Sequence, residues 1–334
     1  MHLTDTRSHR MPMLLSDTRT QLWQALAVCI GMLLGIALLP VPHAHAQTGP
    51  GGVGNSDGSN EQPPNLLWLR GDAGVTTTSS GNVTDWLDQS GNNHNVTQGT
   101  AAERPTLTTE SINGVDVVTF DGIDDFLVDS GAQYLNDSTG VTAMVVVDAN
   151  ATGSDAGILD TGPTANFGDN EDDVFSIRYD EEIFQVGTPN VFKFGLAAGG
   201  TTNQYQTEVT DDRVQTTDPQ LITYRYENGD GNPLVLLDGS TVGTSTANTP
   251  SGTVSNMSQL ALGEGSQGVT WDGDIAEVIL FGEGLNQAER TVVHTYLAEK
   301  YNNWSGGGEV LSYDHIGNYF NDFAGIGQAS DGTA

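Results

Sequence analysis

Apolar and polar residues alternate with a period of two in short runs along most of the chain. In VFSIRYD (174–180) the apolar positions are Phe175, Ile177 and Tyr179. NVFKFGL (190–196) places Phe192, Phe194 and Leu196 in the same way, and PQLITYRYENG (219–229) places Ile222, Tyr224 and Tyr226. Successive side chains of a strand point to opposite faces, so this pattern predicts strands with one face in a core. GVDVVTF (114–120), VTAMVVVDA (141–149), PLVLLDG (233–239) and DIAEVILF (274–281) are further strand-like runs, separated by Gly, Asn, Asp and Thr. Many short strands with frequent turns predict an all-β, antiparallel two-sheet sandwich or barrel. Helix and strand do not alternate, which argues against a parallel βαβ sheet.

Two local patterns stand out. TFDGIDDFLV (119–128) sets Asp121, Asp124 and Asp125 between apolar flanks. Asp-Gly is a strong short-turn signal, so the flanks are expected to be two strands of a hairpin. Asp121 would then bond turn amides, and Asp124 and Asp125 would face opposite sides of the return strand. Near the C-terminus, Asn286 and Glu289 have the spacing of a capping box. Val292, Val293, Tyr296 and Leu297 follow as one apolar stripe, predicting a single helix that ends near Tyr301.

The ends of the chain read differently. Arg7, Arg10 and Arg19 precede the apolar stretch ALAVCIGMLLGIALL (25–39), and Ala44-His45-Ala46 follows as a cleavage signal. Residues 1–46 are expected to be a secretory signal peptide, with the mature chain secreted, extracellular or at a cell surface and not inserted in a membrane. Residues 47–64 are rich in Gly, Ser, Asn and Pro and are expected to be a flexible linker. Their G-x-S-x-G, Gly54 to Gly58, lacks the strand and helix that a nucleophile elbow needs. The folded domain is expected over 65–303. Residues 304–334 hold a glycine-rich linker and an incomplete tail, or the start of a further domain.

Composition narrows the chemistry. Cys29, in the signal segment, is the only cysteine, so the mature chain has no disulfide, thiol nucleophile or cysteine metal site. The net charge is -32, and beyond residue 46 the chain holds 8 basic and 41 acidic residues, with Lys193 and Lys300 as its lysines. Such a surface repels nucleic acid and anionic lipid. Calcium takes six to eight oxygen ligands from carboxylates, amides and carbonyls. GDNEDD (168–173) offers Asp169, Glu171, Asp172 and Asp173. DQSGNNHN (88–95) offers Asp88, which equally suits a turn that bonds its own backbone amides. Trp68 and Trp86 sit in apolar strand contexts. Trp271 follows a turn-rich segment that could leave it exposed, and no residue is singled out as a sugar ligand.

Several segments taken together carry a family resemblance. LLWLRGDAGV, WLDQSGNNHNVTQ, RPTL, NGVDVVTFDGIDDFL, LVLLDG and GDIAEVILFGEGLNQAERTVVHTYLAEKYN occur in the order found in LamG-like jelly-roll domains. These belong to the concanavalin A-like lectin/glucanase superfamily, and the likeness covers 65–303. The tail segment YFNDFAGIGQ looks like the start of a domain that follows such modules. The resemblance implies two antiparallel sheets packed face to face as a jelly roll. It leaves activity open, because the superfamily includes lectins, adhesion modules, glycosidases, lyases and spacers.

The superfamily's glucanases carry E-x-D-x-x-E or E-x-D-x-E on one strand. Here Asp272, Asp274 and Glu277 give D-x-D-x-x-E, with the shorter Asp in the nucleophile's place. A glycosidase needs two carboxylates facing each other across a cleft. The favoured expectation is therefore no catalytic residue: a non-catalytic carbohydrate-binding or adhesion module for a glycan or surface protein, its loops stabilised by calcium. The alternatives are a glycoside hydrolase or polysaccharide lyase using Asp272, Asp274 and Glu277, and a structural spacer of a larger surface protein. The surroundings of Glu277 distinguish them.

Overall fold

A computed structural model of the chain describes residues 48–150, 156–162, 175–180, 191–200, 204–210, 217–246, 249–255, 257–264 and 269–301. The strands are β1 (Asn65–Arg70), β2 (Val75–Thr77), β3 (Val83–Trp86), β4 (Val96–Thr97), β5 (Thr106–Ile112) and β6 (Val115–Asp121). Next come β7 (Leu127–Ser130), β8 (Gly140–Ala149), β9 (Ala156–Asp160), β10 (Phe175–Asp180), β11 (Val191–Ala197) and β12 (Gln204–Val209). The last are β13 (Gln220–Glu227), β14 (Leu234–Leu237), β15 (Ser240–Thr241), β16 (Thr244–Thr246), β17 (Gln259–Leu262) and β18 (Asp272–Phe281). Helix α1 (Gln287–Tyr301) follows.

One sheet has the order β15-β14-β13-β8-β18-β6-β5, with β1 also on β18. The other has the order β16-β12-β11-β10-β9-β17-β7-β4-β3-β2. All these pairings are antiparallel. Of the sandwich or barrel that the alternation predicts, this is the two-sheet antiparallel sandwich, followed by the one C-terminal helix that the capping box and apolar stripe predict. Phe175, Ile177, Tyr179, Phe192, Phe194, Leu196, Ile222, Tyr224 and Tyr226 all lie in the core between the sheets.

A second apolar layer covers the outer face of the β8–β18 sheet. Met144, Val146, Leu221, Ile279 and Phe281 meet Val293, Leu297 and Tyr301 of α1 there. This is why β8 and β18 read as nearly continuous apolar runs: both of their faces are covered. Burying one such Leu, Val or Phe side chain is worth roughly 1.5–3 kcal/mol, so the interface holds the helix far better than propensity could. The capping box forms as expected. The Asn286 amide donates to Glu289 Oε2 (2.8 Å), and the Glu289 amide donates to Asn286 Oδ1 (3.1 Å).

Three expectations are corrected. The hairpin at 119–128 does not form: β6 belongs to one sheet and β7 to the other, so Asp121 to Phe126 carry the chain across the sandwich. Asp121 Oδ1 does accept the Ile123 amide (2.8 Å), as a turn residue should. Asp124 and Asp125 do not face opposite ways, because carboxylate oxygens of Asp121, Asp124 and Asp125 lie within 4.8 Å of one another. Residues 48–64, expected as a flexible linker, are folded onto the domain. Pro50 and Val53 are buried, the Asn65 amide donates to Asn55 O (2.8 Å), and Gly51 lies against Val292 and Tyr296. Trp271, whose exposure the sequence left open, is fully buried, as is Trp86, with Trp68 nearly so. Among the described residues no helix is long and apolar enough to cross a membrane. Asp169, Glu171, Asp172, Asp173, Trp304, the signal segment and the tail lie outside the described residues.

Candidate functional site

Glu277 sits where β18 changes partner. One edge of β18 pairs with β8 throughout. The other edge pairs with β6 from Asp272 to Ile275 and with β1 from Glu277 to Phe281. A bulge lies between Ile275 and Glu277. It leaves Ile275, Val278 and Leu280 in the sandwich core while Ala276 joins Ile279 and Phe281 under the helix. An extra residue in one strand is how a sheet re-aims a side chain. Here it turns the Glu277 carboxylate toward α1.

That carboxylate is fully buried, and its two oxygens are filled by four donors. Trp68 Nε1 (2.6 Å) and the Tyr296 hydroxyl (3.0 Å) donate to Oε1. Lys300 Nζ (2.7 Å) and the Tyr301 hydroxyl (2.8 Å) donate to Oε2. A carboxylate offers about four lone-pair positions, so none is left over. Lys300 continues to Asp72 (2.9 Å), and Arg70 pairs with Asp72 (2.9 Å). The Arg70 guanidinium lies over the Trp68 ring at 5.2 Å from its centroid. Burial opposes the charge on Asp72, but hydrogen bonds from Arg70 and Lys300 outweigh it and hold the Asp72 pKa below the ordinary value. Burial, then the charge of Glu277, pushes the hydroxyls of Tyr296 and Tyr301 far up, so both stay protonated donors.

The other members of the D-x-D-x-x-E motif have separate partners. Asp274 accepts the Thr119 hydroxyl on Oδ1 (2.6 Å) and the Ser111 hydroxyl on Oδ2 (2.9 Å). Asp272 accepts Asn150 Nδ2 (3.1 Å) and stands against Gly122. Gly122 has φ +71°, and a Cβ there would come 2.6 Å from the Asp272 Cβ, so the crossing needs glycine at this position. A glycosidase carboxylate must meet substrate with an oxygen free to attack or to carry a proton. Glu277 offers neither surface nor a free oxygen.

Asp88 closes a loop. Its Oδ1 accepts the amides of Trp68 (2.9 Å) and Ser90 (2.8 Å). Its Oδ2 accepts the Ser90 hydroxyl (2.7 Å) and the His94 amide (3.1 Å). These four bonds give the turn that Asp, Ser and Asn favour.

The crossing at Asp121 to Asp125 is the converse of Glu277. The Asp125 carboxylate is withdrawn from solvent and accepts the Asp121 amide (3.1 Å). Burial first, then the charge of Asp121, raises its pKa to about 6. Asp148, paired with Asp274 across β8 and β18, is raised to about 6 by burial and then by Asp274 and Asp218. Ile123, at the tip between the aspartates, is 76% exposed.

The residues around Glu277 were not singled out by sequence reasoning. Tyr296 and Lys300 are four apart and so share a face of α1, and Lys300 is one of the chain's two lysines. Those two facts were the available signal. Arg70, Asp72 and Trp68 join them only through the pairing of β1 with β18.

No protein-family model matches the chain, and no curated protein matches it. Among solved structures, the binding domain of Paraclostridial Mosquitocidal Protein 1 aligns with a TM-score of 0.48 and 10% identity, over 70% of this chain and 52% of that one. The binding domain of botulinum neurotoxin DC, solved with rat synaptotagmin II, gives 0.47 and 14%, over 72% and 52%. A Trypanosoma rangeli sialidase solved with 2,3-difluorosialic acid gives 0.45 and 14%, over 70% and 33%. The chain thus spans about half the length of the two toxin binding domains and a third of the sialidase. Likenesses at these values do not say what a chain binds.

Proposed function

We propose that this chain is a secreted or cell-surface, non-catalytic module of the LamG-like type that binds a glycan or a surface protein. The observation that carries the reading is the condition of Glu277. The carboxylate best placed in the sequence to catalyse is buried and saturated by Trp68, Tyr296, Lys300 and Tyr301. It fastens α1 to the sheet and leaves no oxygen for a substrate. The strongly acidic surface keeps nucleic acid and anionic lipid away. Calcium held by Asp169, Glu171, Asp172 and Asp173 belongs to the same proposal, as a stabiliser of loops.

The test is a glycan array probed with the secreted chain, with calcium and with EDTA. Binding in either condition supports the reading, and binding lost in EDTA places calcium in it. Silence in both conditions reduces the chain to a spacer. Release of reducing sugar from a bound polysaccharide would overturn the non-catalytic assignment.

A further inference from the structure

Asp148 and Asp274 are direct partners across β8 and β18. Asp148 follows Val146 on the outer face, just beyond the layer that α1 covers. The next outward pair along β18 is acidic too, because Asp272 is the partner of Asp121 on β6. Like charges placed directly opposite in a ladder repel. The strands cannot ease apart cheaply here. Gly273 lets the backbones approach so closely that a Cβ on it would come 2.3 Å from Asp148 O. Beyond Asp148, the Asn150 amide donates to Asp272 O (3.0 Å), and Asn150 Nδ2 donates to Asp272 Oδ1 (3.1 Å).

The two members of the Asp148–Asp274 pair differ. Both oxygens of Asp274 have donors, in the hydroxyls of Thr119 and Ser111. The carboxylate of Asp148 is half-buried and has no hydrogen-bond partner among the described residues. The elements around it bring further acids: Asp272 and Asp274 on β18, Asp121 on β6, and Asp218 before β13. Among the described residues no ion pair reaches Asp148, Asp272 or Asp274. The nearest basic groups are engaged elsewhere. On α1, Lys300 is held by Glu277 and Asp72, Arg290 donates to Leu285 O, and His294 meets Thr223, while Glu299 adds a further acid. Just before β5, Arg104 donates to Gln98 O and Gly99 O.

We propose that Asp148 is a proton-operated clasp for this end of the sheet: protonated, it closes the end of β8 onto β18, and ionised, it loosens it. A proton removes the repulsion from Asp274 and gives Asp148 a donor in a place that holds only acceptors. Burial, then the charges of Asp274 and Asp218, raises the Asp148 pKa from 3.8 to about 6. The closed state is therefore fully favoured below pH 3.8, and its advantage is lost as pH rises through about 6. The end of β8 thus responds to pH in a range where ordinary aspartates stay ionised throughout.

Amide exchange of the full chain by NMR, in EDTA and corrected for base catalysis, tests the clasp. A two-unit shift corresponds to at most about 100-fold, and solvent screening of a half-buried group reduces this to about tenfold. Protection of the Asn150 amide should accordingly fall about tenfold between about pH 5 and about pH 7.5, while Val145 in mid-strand keeps its protection. Asp148→Asn removes the charge at the same size, so the Asn150 amide should keep its acid-level protection at both values. Carboxyl-carbon signals should show Asp148 titrating near pH 6. Asp125→Asn separates the other carboxyl that titrates near this end, and the pH response of Asn150 should survive it. Protection independent of pH, a response that persists in Asp148→Asn or disappears in Asp125→Asn, or an Asp148 that titrates near 3.8 would each overturn the proposal.

Discussion

Glu277 and Asp125 are both carboxylates withdrawn from water, and their neighbours are of opposite kinds. Glu277 meets a lysine, two tyrosines and a tryptophan. Asp125 meets one backbone amide and two further aspartates. Removing a carboxylate from water costs several kcal/mol unless donors replace the lost hydration. At Glu277 they do, and the charge ties α1, β1 and β18 together. At the crossing they do not, and protonation is what relieves the site. An acidic run in a sequence looks the same in both cases. The outcome depends on donors that arrive from far along the chain, Trp68 being 209 residues from Glu277.

The sharpest way to break this contrast is to remove Glu277. Glu277→Ala leaves Lys300 with Asp72 alone and takes the acceptor from the buried Trp68 and Tyr296 donors, so unfolding in urea should show a loss of about 3–5 kcal/mol. A loss below about 1 kcal/mol would mean that the four bonds hold nothing together.

His294 supplies a second handle on the helix side. It is buried against Thr223 Oγ1 (3.0 Å), and burial first, then Arg290, lowers its pKa to about 3. The unfolded chain takes up this proton near pH 6.5, whereas the folded chain resists it until about pH 3. The His294 contribution is therefore complete above pH 6.5 and is lost as pH falls toward 3, by a total on the order of 4 kcal/mol. Urea unfolding across that range should show the loss in the wild type and a flatter profile in His294→Gln.

Lys300→Met is a milder probe of the same latch. Glu277 keeps its three neutral donors while Asp72 keeps Arg70, so a cost of about 2 kcal/mol is expected from thermal unfolding. An effect as small as that of an ordinary surface pair, under about 1 kcal/mol, would show that the neutral donors suffice.

The smallest effect has the opposite sign. Asp125→Asn should stabilise the chain at pH 7 by about 1 kcal/mol, after allowance for solvent screening. The folded-state pKa of about 6 lies above the ordinary 3.8, so the charge-dependent penalty is absent below pH 3.8 and complete above pH 6. The gain in melting temperature should accordingly vanish near pH 4. A gain that persists there would trace to something other than charge.

Much of the fold was legible because it is written in local periods. Strand alternation located Phe175, Phe192 and Ile222 in the core, and the Asn286–Glu289 spacing marked where the helix begins. The failures were of long range. Asp121-Gly122 does signal a turn, but it cannot say that the next strand joins the other sheet, because β6 is chosen by β18 and β7 by β17. The Gly- and Pro-rich segment 48–64 looked unstructured because the contacts that dock it, with Asn65, Val292 and Tyr296, lie outside it, while its own turns bond within it. The site followed the same rule. The D-x-D-x-x-E spacing identified Glu277, but its meaning was set by a bulge and by a helix that covers it, and neither is visible in the spacing.

Amide hydrogen exchange of Glu277→Gln tests the latch most directly. The variant keeps the shape of the side chain and removes its charge, so exchange should speed up across Gln287–Tyr301 while β8 and β13 keep their protection. Unchanged protection of the helix, together with loss of a polysaccharide-cleaving activity, would contradict the account and return Glu277 to catalysis.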